Sequence, residues 1–201
     1  MSFAYQAMGI EAFRYVIPLT LTVVPAFFLP RLPFAFRWRH IGMSAAAVVL
    51  FVLPYVMLTS RALHTGIHPA DLHRGGVHLA GIHWVGIHMP GGLFAMYQLL
   101  AVALPEELFF RGYIQESLMQ GAYGRGAAGD TGVCGKGKAA IVLSSVLFAL
   151  CHGIVGLVTG EATPLLTFFP SLVMGWLYFK TSNLVPPILF HWVANIAYAS
   201  I

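Results

Sequence analysis

The chain has 201 residues, of which 58% are hydrophobic and only 9% are charged. Soluble domains carry about 25% charged residues, so this composition excludes an ordinary soluble protein and indicates an integral membrane protein. The net charge of +4 is small and spread along the chain, so it gives no basic patch of the kind that binds nucleic acid. The first partner that the sequence predicts is therefore the lipid bilayer.

Apolar stretches of about 16–21 residues recur along the chain, near the length needed to cross ~30 Å of hydrocarbon. The predicted spans are Ala12–Leu29, Ile41–Thr59, Phe94–Ile114, Ala139–Leu157, Pro164–Phe179 and Leu184–Ile201. Glu116–Lys138 is rich in glycine and is predicted to be a linker. The predicted fold is an all-α, polytopic membrane bundle of about six transmembrane helices around a polar cavity. Asn183 is a predicted N-cap of the last helix.

Basic residues between these spans fall mainly on one side of the predicted topology. That side carries Arg31, Arg37, Arg39, Arg125, Lys136, Lys138 and Lys180. The opposite side carries Arg14, Arg61 and Arg74. The asymmetry predicts that the richer side is cytoplasmic and that both termini lie outside. We divide the single membrane domain into an N-terminal hairpin and loop, residues 1–90, and a helical core, residues 91–201.

Histidines recur at every fifth position within Thr65–Met89. They are His68, His73, His78, His83 and His88. A period of five turns successive side chains by ~140° on a helix and to opposite faces of a strand, so it does not favour a shared metal site. The pattern is similar to pentapeptide repeats, but five units give too little stacking for independent stability. We interpret this tract as an interfacial loop or helix, with Trp84 at headgroup level.

The third predicted span carries two adjacent acids, Glu106 and Glu107, and a base, Arg111. A charge at the bilayer centre costs at least ~2.5–3.5 kcal/mol, so such groups normally face the protein interior and serve a function there. Arg111 follows Glu107 by four residues, which predicts that the two pair on one helix face. Glu106 is turned by about 100° from that pair and is predicted to stay free of it.

Two other predicted spans also carry polar residues at membrane depth. His152 lies in the fourth span, while His191 and Asn195 lie four residues apart on one face of the sixth. A lone histidine on an apolar helix is most often a hydrogen-bonded core residue, and a polar network that only holds helices together is the simpler interpretation. Three helices that each offer an acid, a histidine or an amide favour a functional site.

These residue types suit hydrolysis of a peptide bond by an activated water molecule. A carboxylate shielded from bulk water can act as a general base, and a neighbouring histidine can share the proton. A second histidine and an amide can donate to the oxyanion that develops on the scissile carbonyl. Ser144 and Ser145 lack the Gly-x-Ser-x-Gly pattern of a nucleophile elbow. A dyad of Cys151 with His191 is a less favoured alternative.

The motifs Glu106-Glu107-x-x-x-Arg111, Phe148-x-x-x-His152 and His191-x-x-x-Asn195 resemble, in order and rough spacing, those of the CPBP family. This family of CAAX-processing and bacteriocin-processing intramembrane proteases is also called Abi or Rce1-like. The resemblance implies a helical intramembrane endopeptidase in which Glu106 activates water with help from His152. It further implies that His191 and Asn195 bind the oxyanion and that Arg111 orients and neutralises Glu107.

The resemblance also allows a zinc-dependent version of the same protease. In that version Glu107, His152 and His191 would be the ligands, with the fourth position open. The sequence has no His-Glu-x-x-His helix, so its spacing does not argue for zinc. We therefore prefer a metal-free site with no cofactor, and keep the zinc version as the alternative.

The implied partner is a membrane-anchored or lipidated protein or peptide in the bilayer of a bacterial or archaeal cell. Prenylated C-termini, bacteriocin-like peptides and C-terminal sorting anchors all fit this description. Counted along the helices, the candidate residues lie in the cytoplasmic half of the membrane, and the site is predicted to open there. Two non-proteolytic alternatives remain: a proton-coupled transporter, and a non-catalytic immunity or scaffold protein.

Overall fold

The computed structural model describes residues 13–28, 33–57, 91–122, 130–159 and 163–200. These residues fold into six helices and contain no strand. The helices are α1 (Phe13–Phe28), α2 (Trp38–Met57), α3 (residues 92–122), α4 (Asp130–Thr159), α5 (Phe168–Thr181) and α6 (Val185–Ala199). A 3₁₀ turn, Thr163–Thr167, leads into α5.

The predicted all-α membrane bundle is confirmed, since each predicted span coincides with a helix. Three helical stretches are long and apolar enough to cross a membrane: Trp38–Met57, Gly92–Gly121 and Gly137–Ile154. The other three helices, α1, α5 and α6, are shorter, at 16, 14 and 15 residues. Large apolar side chains such as Phe27 and Leu93 are 83% and 90% exposed on the outside, as expected of a surface that faces lipid.

The predicted Gly-rich linker Glu116–Lys138 is wrong in its boundaries. The third helix continues to Ala122, and the fourth begins at Asp130. Glycine lowers helix propensity by only about 1 kcal/mol, and close packing can offset that cost. Gly137 provides such packing, because a Cβ there would clash with the Phe179 ring. The histidine-rich tract Thr65–Met89 lies outside the described residues.

Helices α2 and α3 contain π-helical turns, and two prolines explain two of the three; the third, Leu108–Gln115, follows Glu107. A π-helical turn, Val48–Val52, comes just before Pro54, and another, Gln98–Ala103, comes just before Pro105. Proline has no N–H to donate and its ring crowds the preceding turn, so a wider turn relieves both problems. The predicted kink at Pro54 therefore takes the form of a local widening of the helix.

The bundle packs around α3 and α6. Helix α3 contacts α1, α4 and α6, and helix α6 also packs against α2 and α5. One cluster of buried apolar side chains joins these helices: Ala47, Val52, Phe110, Phe148, Val173, Met174, Leu177 and Phe190. The rings of Phe110 and Phe148 pack edge to face with 5.0 Å between their centroids, and this contact holds α3 against α4. Glu106, His152 and His191 lie on these tightly packed helices.

The turn between α5 and α6 is fastened to the segment that precedes α2. Ser182 adopts a left-handed conformation with φ 47°, and its N–H donates to the Tyr178 carbonyl. The buried Asn183 side chain accepts from the N–H groups of Ala35 and Val185, and donates to the Ala35 carbonyl and to His40 Nδ1. The prediction that Asn183 is the N-cap of α6 is wrong, because the N-cap is Leu184, whose side chain makes no capping bond. Asn183 lies one residue earlier and accepts from the first N–H of the helix.

Candidate active site

Three predicted site residues from three helices converge on one point inside the bundle. Glu106 Oε2 on α3 lies 3.9 Å from His152 Nε2 on α4 and 3.8 Å from His191 Nε2 on α6. Both distances exceed a hydrogen bond, so the three groups face one another without bonding directly. Glu106 is 17% exposed and His191 6%, which places the cluster at the edge of the buried interior.

Glu107 pairs with Arg111, as the spacing predicted. Glu107 Oε2 lies 3.2 Å from Arg111 Nε, and both side chains are fully buried. The two atoms are in contact but are not aligned as a hydrogen bond. Arg111 Nη2 donates to the side chain and carbonyl oxygens of Ser171 on α5, and its guanidinium lies 4.8 Å from the centre of the Phe148 ring. Arg111 therefore links α3 to α4 through the Phe148 ring and to α5 through Ser171.

Glu107 also holds His191, a contact that the spacing of residues did not predict. His191 Nδ1 lies 2.9 Å from Glu107 Oε1. Because an ionised carboxylate only accepts hydrogen bonds, this nitrogen carries the proton. The contact fixes the tautomer and the ring orientation, and it turns Nε2 toward Glu106.

His152 is fixed in a similar way by its own helix. Its Nδ1 lies 2.9 Å from the Phe148 carbonyl oxygen, which can only accept, so Nδ1 is again the protonated nitrogen. The ring stacks on the Phe148 ring at 4.4 Å. Both Nε2 atoms thus face Glu106, and when the two rings are neutral each Nε2 is a hydrogen-bond acceptor.

The cluster therefore gathers three hydrogen-bond acceptors and lacks a donor among the described residues. Glu106 Oε2 is buried and has no hydrogen-bond partner among them. A buried acceptor left unpaired costs about 1–3 kcal/mol, so the arrangement favours a bound molecule that donates hydrogen bonds. A water molecule has two O–H groups to offer.

Asn195 lies one turn beyond His191 on α6, and its amide contacts Gln98 on α3. The Asn195 Nδ2 donates to Gln98 Oε1 over 3.0 Å, and both side chains are partly buried. Sequence reasoning missed Gln98, whose only signal was an amide within an apolar stretch upstream of the acids. It also missed Ser171, which is not marked by any motif.

Glu107, a ligand in the zinc alternative, has other contacts in the structure. Both oxygens of Glu107 lie against other side chains, one against Arg111 and one against His191. A carboxylate paired with a guanidinium is a poor metal ligand because the cation competes for its lone pairs. No three His, Cys, Asp or Glu side chains within the described part of the chain are arranged to hold a metal ion.

Fold and site together define a class: a helical membrane protein with an acid and two histidines gathered inside its bundle. Residues 88–197 match the family model described as type II CAAX prenyl endopeptidase Rce1-like. This match covers more than half of the chain, and the chain belongs to this family. The resemblance inferred from the three motifs is therefore confirmed. No curated protein and no solved structure matches the chain.

Membership of the family gives the general activity. The protein is an integral membrane endopeptidase that acts on a membrane-associated protein in the lipid bilayer. The matched range contains all six residues predicted for the site, from Glu106 to Asn195. The finer questions are how water is activated and what each residue does.

Proposed function

We propose that the protein hydrolyses a peptide bond of a membrane-anchored or lipidated protein or peptide, with Glu106 as the base that activates water. One observation carries this proposal. Glu106 Oε2 is buried without a hydrogen-bond partner among the described residues, and it faces the Nε2 atoms of two histidines at 3.8 and 3.9 Å. A water held by these acceptors lies beside a base, which is the arrangement that general-base catalysis requires.

In the attack step, the water oxygen bonds to the carbonyl carbon while one of its protons moves to Glu106. The π electrons of the carbonyl move to its oxygen and form an oxyanion. We assign stabilisation of that oxyanion to the Asn195 amide N–H and to His191. The His191 ring donates from Nε2 when it carries a second proton taken up from solvent, which it returns to solvent after the collapse step.

In the collapse step, the carbon–nitrogen bond breaks and its electron pair goes to the leaving nitrogen. That nitrogen takes up the proton that Glu106 received, directly or through His152 Nε2. The products are a new carboxylic acid, which loses the second proton of the water to solvent, and a new amine. Glu106 is then again an ionised carboxylate. His152 is suited to the relay because its Nδ1 is committed to the Phe148 carbonyl and only Nε2 faces Glu106.

We assign Glu107 and Arg111 to positioning rather than to proton transfer. Glu107 touches both Arg111 and His191 and is fully buried, so it orients the His191 ring. Arg111 neutralises that carboxylate and is itself held by Ser171. This division gives the two adjacent glutamates different functions.

We propose that this chemistry needs no metal ion. Support comes from the contacts of Glu107, whose two oxygens are occupied by Arg111 and His191. A base, a relay and oxyanion donors are all available from side chains. The excess of basic residues on one side supports a site that opens toward the cytoplasmic half of a bacterial or archaeal membrane. Prenylated C-termini, bacteriocin-like peptides and sorting anchors all suit such a site.

Cleavage of a membrane-tethered peptide by purified protein in vesicles tests the proposal. We expect cleavage that persists after exhaustive chelation and is not increased by added zinc. Loss of cleavage on chelation with recovery on adding zinc would contradict the metal-free mechanism while leaving the protease assignment intact. Absence of cleavage by wild-type protein across lipidated and unlipidated substrates would favour the scaffold or transporter alternatives.

The control for an acyl-enzyme route is Cys151→Ala. Cys151 is a free, exposed cysteine beside His152 in sequence. Adjacent residues on a helix do not face each other, so the substitution is expected to leave the rate of cleavage unchanged. A large loss of cleavage in this variant would support the alternative in which Cys151 acts as the nucleophile in a dyad with His191.

A further inference from the structure

We infer that Gln98 is a positioning residue, which holds the Asn195 amide so that its amino group is available to the substrate oxyanion. The inference rests on the proposed function, because it assumes that Asn195 donates to the oxyanion. Its structural basis is the 3.0 Å hydrogen bond from Asn195 Nδ2 to Gln98 Oε1. None of the three sequence motifs includes Gln98.

The π-helical turn in α3 brings Gln98 toward the face that carries Glu106. The two residues are eight apart, and in a regular α-helix, at about 100° per residue, they would differ by about 80° in direction. The π-helical turn Gln98–Ala103 advances by only about 80° per residue, which reduces the difference to about 30°. Gln98 and Glu106 therefore face α6 together, opposite Asn195 and His191 respectively.

The chemistry of a carboxamide explains why its orientation needs control. Rotation of the Asn195 amide by 180° would exchange its amino group for its carbonyl oxygen. A carbonyl oxygen turned toward an oxyanion would repel it, whereas an N–H group would stabilise it. In the observed pair Gln98 presents Oε1, which only accepts, so it retains the amino group of Asn195. One of the two N–H bonds is used by Gln98, and the second is left for the substrate.

The register of the two helices does not depend on this pair alone. The indole N–H of Trp192 donates to the Ala95 carbonyl over 2.8 Å and holds α6 against the same end of α3. His191 and Glu107 fix the next turn. Removal of the Gln98 amide is therefore expected to free the Asn195 side chain without displacing the helices.

The experiment is a double-mutant cycle on peptide cleavage, with Gln98→Met and Asn195→Ala alone and combined. We expect Gln98→Met to lower kcat about tenfold and to leave KM within about twofold, because orientation matters most in the transition state. In the Asn195→Ala background, Gln98→Met is expected to have no further effect on kcat. Gln120→Met is the matched control, since Gln120 is an exposed glutamine on the same helix.

Two results would overturn the inference. One is a Gln98→Met enzyme with the wild-type kcat. The other is a tenfold loss that persists in full when Asn195 is already alanine. Thermal unfolding of each variant checks that it is folded, and Gln98→Ala replaces Gln98→Met if the latter does not fold. If Glu106→Gln loses cleavage while Gln98→Met keeps the wild-type kcat, only the role of Gln98 is rejected. If the wild-type protein is inactive, both proposals are rejected.

Discussion

Glu106 and Glu107 are neighbours in sequence but have different surroundings and, in our account, different functions. Glu107 is fully buried between Arg111 and His191. Glu106 is partly exposed, and one of its oxygens has no hydrogen-bond partner among the described residues. A helix turns by about 100° per residue, so two adjacent acids point in different directions. One of them can therefore form a structural ion pair while the other faces the reaction centre.

Replacing Glu107 tests the structural function. Glu107→Gln leaves the Arg111 guanidinium buried without its counter-charge, which typically costs about 3–5 kcal/mol. We expect a lower thermal unfolding temperature in detergent and loss of cleavage. Adding Arg111→Met removes the unpaired charge and is expected to restore much of the stability.

The same double variant separates stability from activity. Cleavage should stay low after stability returns, because the His191 ring has lost the carboxylate that orients it. Recovery of both stability and cleavage in the double variant would show that Glu107 has no role beyond packing.

At the scale of helices, close packing of α4 and α5 against α3 depends on small residues. A Cβ on Gly175 would lie 2.9 Å from Ile141 Cγ2 and 3.0 Å from Gln115 Oε1. Both neighbours are buried, and Gln115 is held in place by the bond that it donates to the Gly175 carbonyl. Gly175 therefore sets the distance between these helices.

We expect Gly175→Ala to destabilise the protein by about 1–3 kcal/mol, as overpacking usually does. Thermal unfolding measures the effect, and Gly42→Ala is the control because a Cβ at Gly42 would contact nothing within 4 Å. Ile141→Ala removes the crowding methyl group, so the two changes together should cost less than their sum. Additive losses would contradict the packing argument.

The helices were predictable from sequence because long apolar stretches have few alternatives in lipid. The pairing of Glu107 with Arg111 followed from a spacing of four residues. The contact of His191 with Glu107 and that of Asn195 with Gln98 were not predictable, because they depend on how α6 packs against α3. The extension of α4 back to Asp130 was missed because the glycine content indicated a loop, while packing at Gly137 supports a helix.

At the scale of the whole molecule, Asn183 joins the N-terminal helices to the core. Its side chain bonds to the Ala35 backbone, to His40 and to the first N–H of α6. Leu184 adds a bond from its N–H to the Pro33 carbonyl. The segment before α2 is thus fixed to the turn that leads into His191.

We expect Asn183→Ala to destabilise the protein by about 2–3 kcal/mol, since several buried hydrogen bonds are lost together and each contributes about 1 kcal/mol. Limited proteolysis should then cut within residues 33–40 faster than in wild type. Gln120→Ala is the control, because it removes an exposed amide that bonds within its own helix. Equal proteolysis rates in Asn183→Ala and wild type would show that Asn183 does not fasten this segment.

The central claim is that Glu106 activates water, and the most direct measurement is the single-turnover rate of peptide cleavage by Glu106→Gln. The substitution keeps the size of the side chain and removes the base, so the variant should remain folded by thermal unfolding. We expect a rate at least about 10²–10⁴-fold below wild type, the usual contribution of a general base. A folded Glu106→Gln protein that cleaves within tenfold of the wild-type rate would contradict the account.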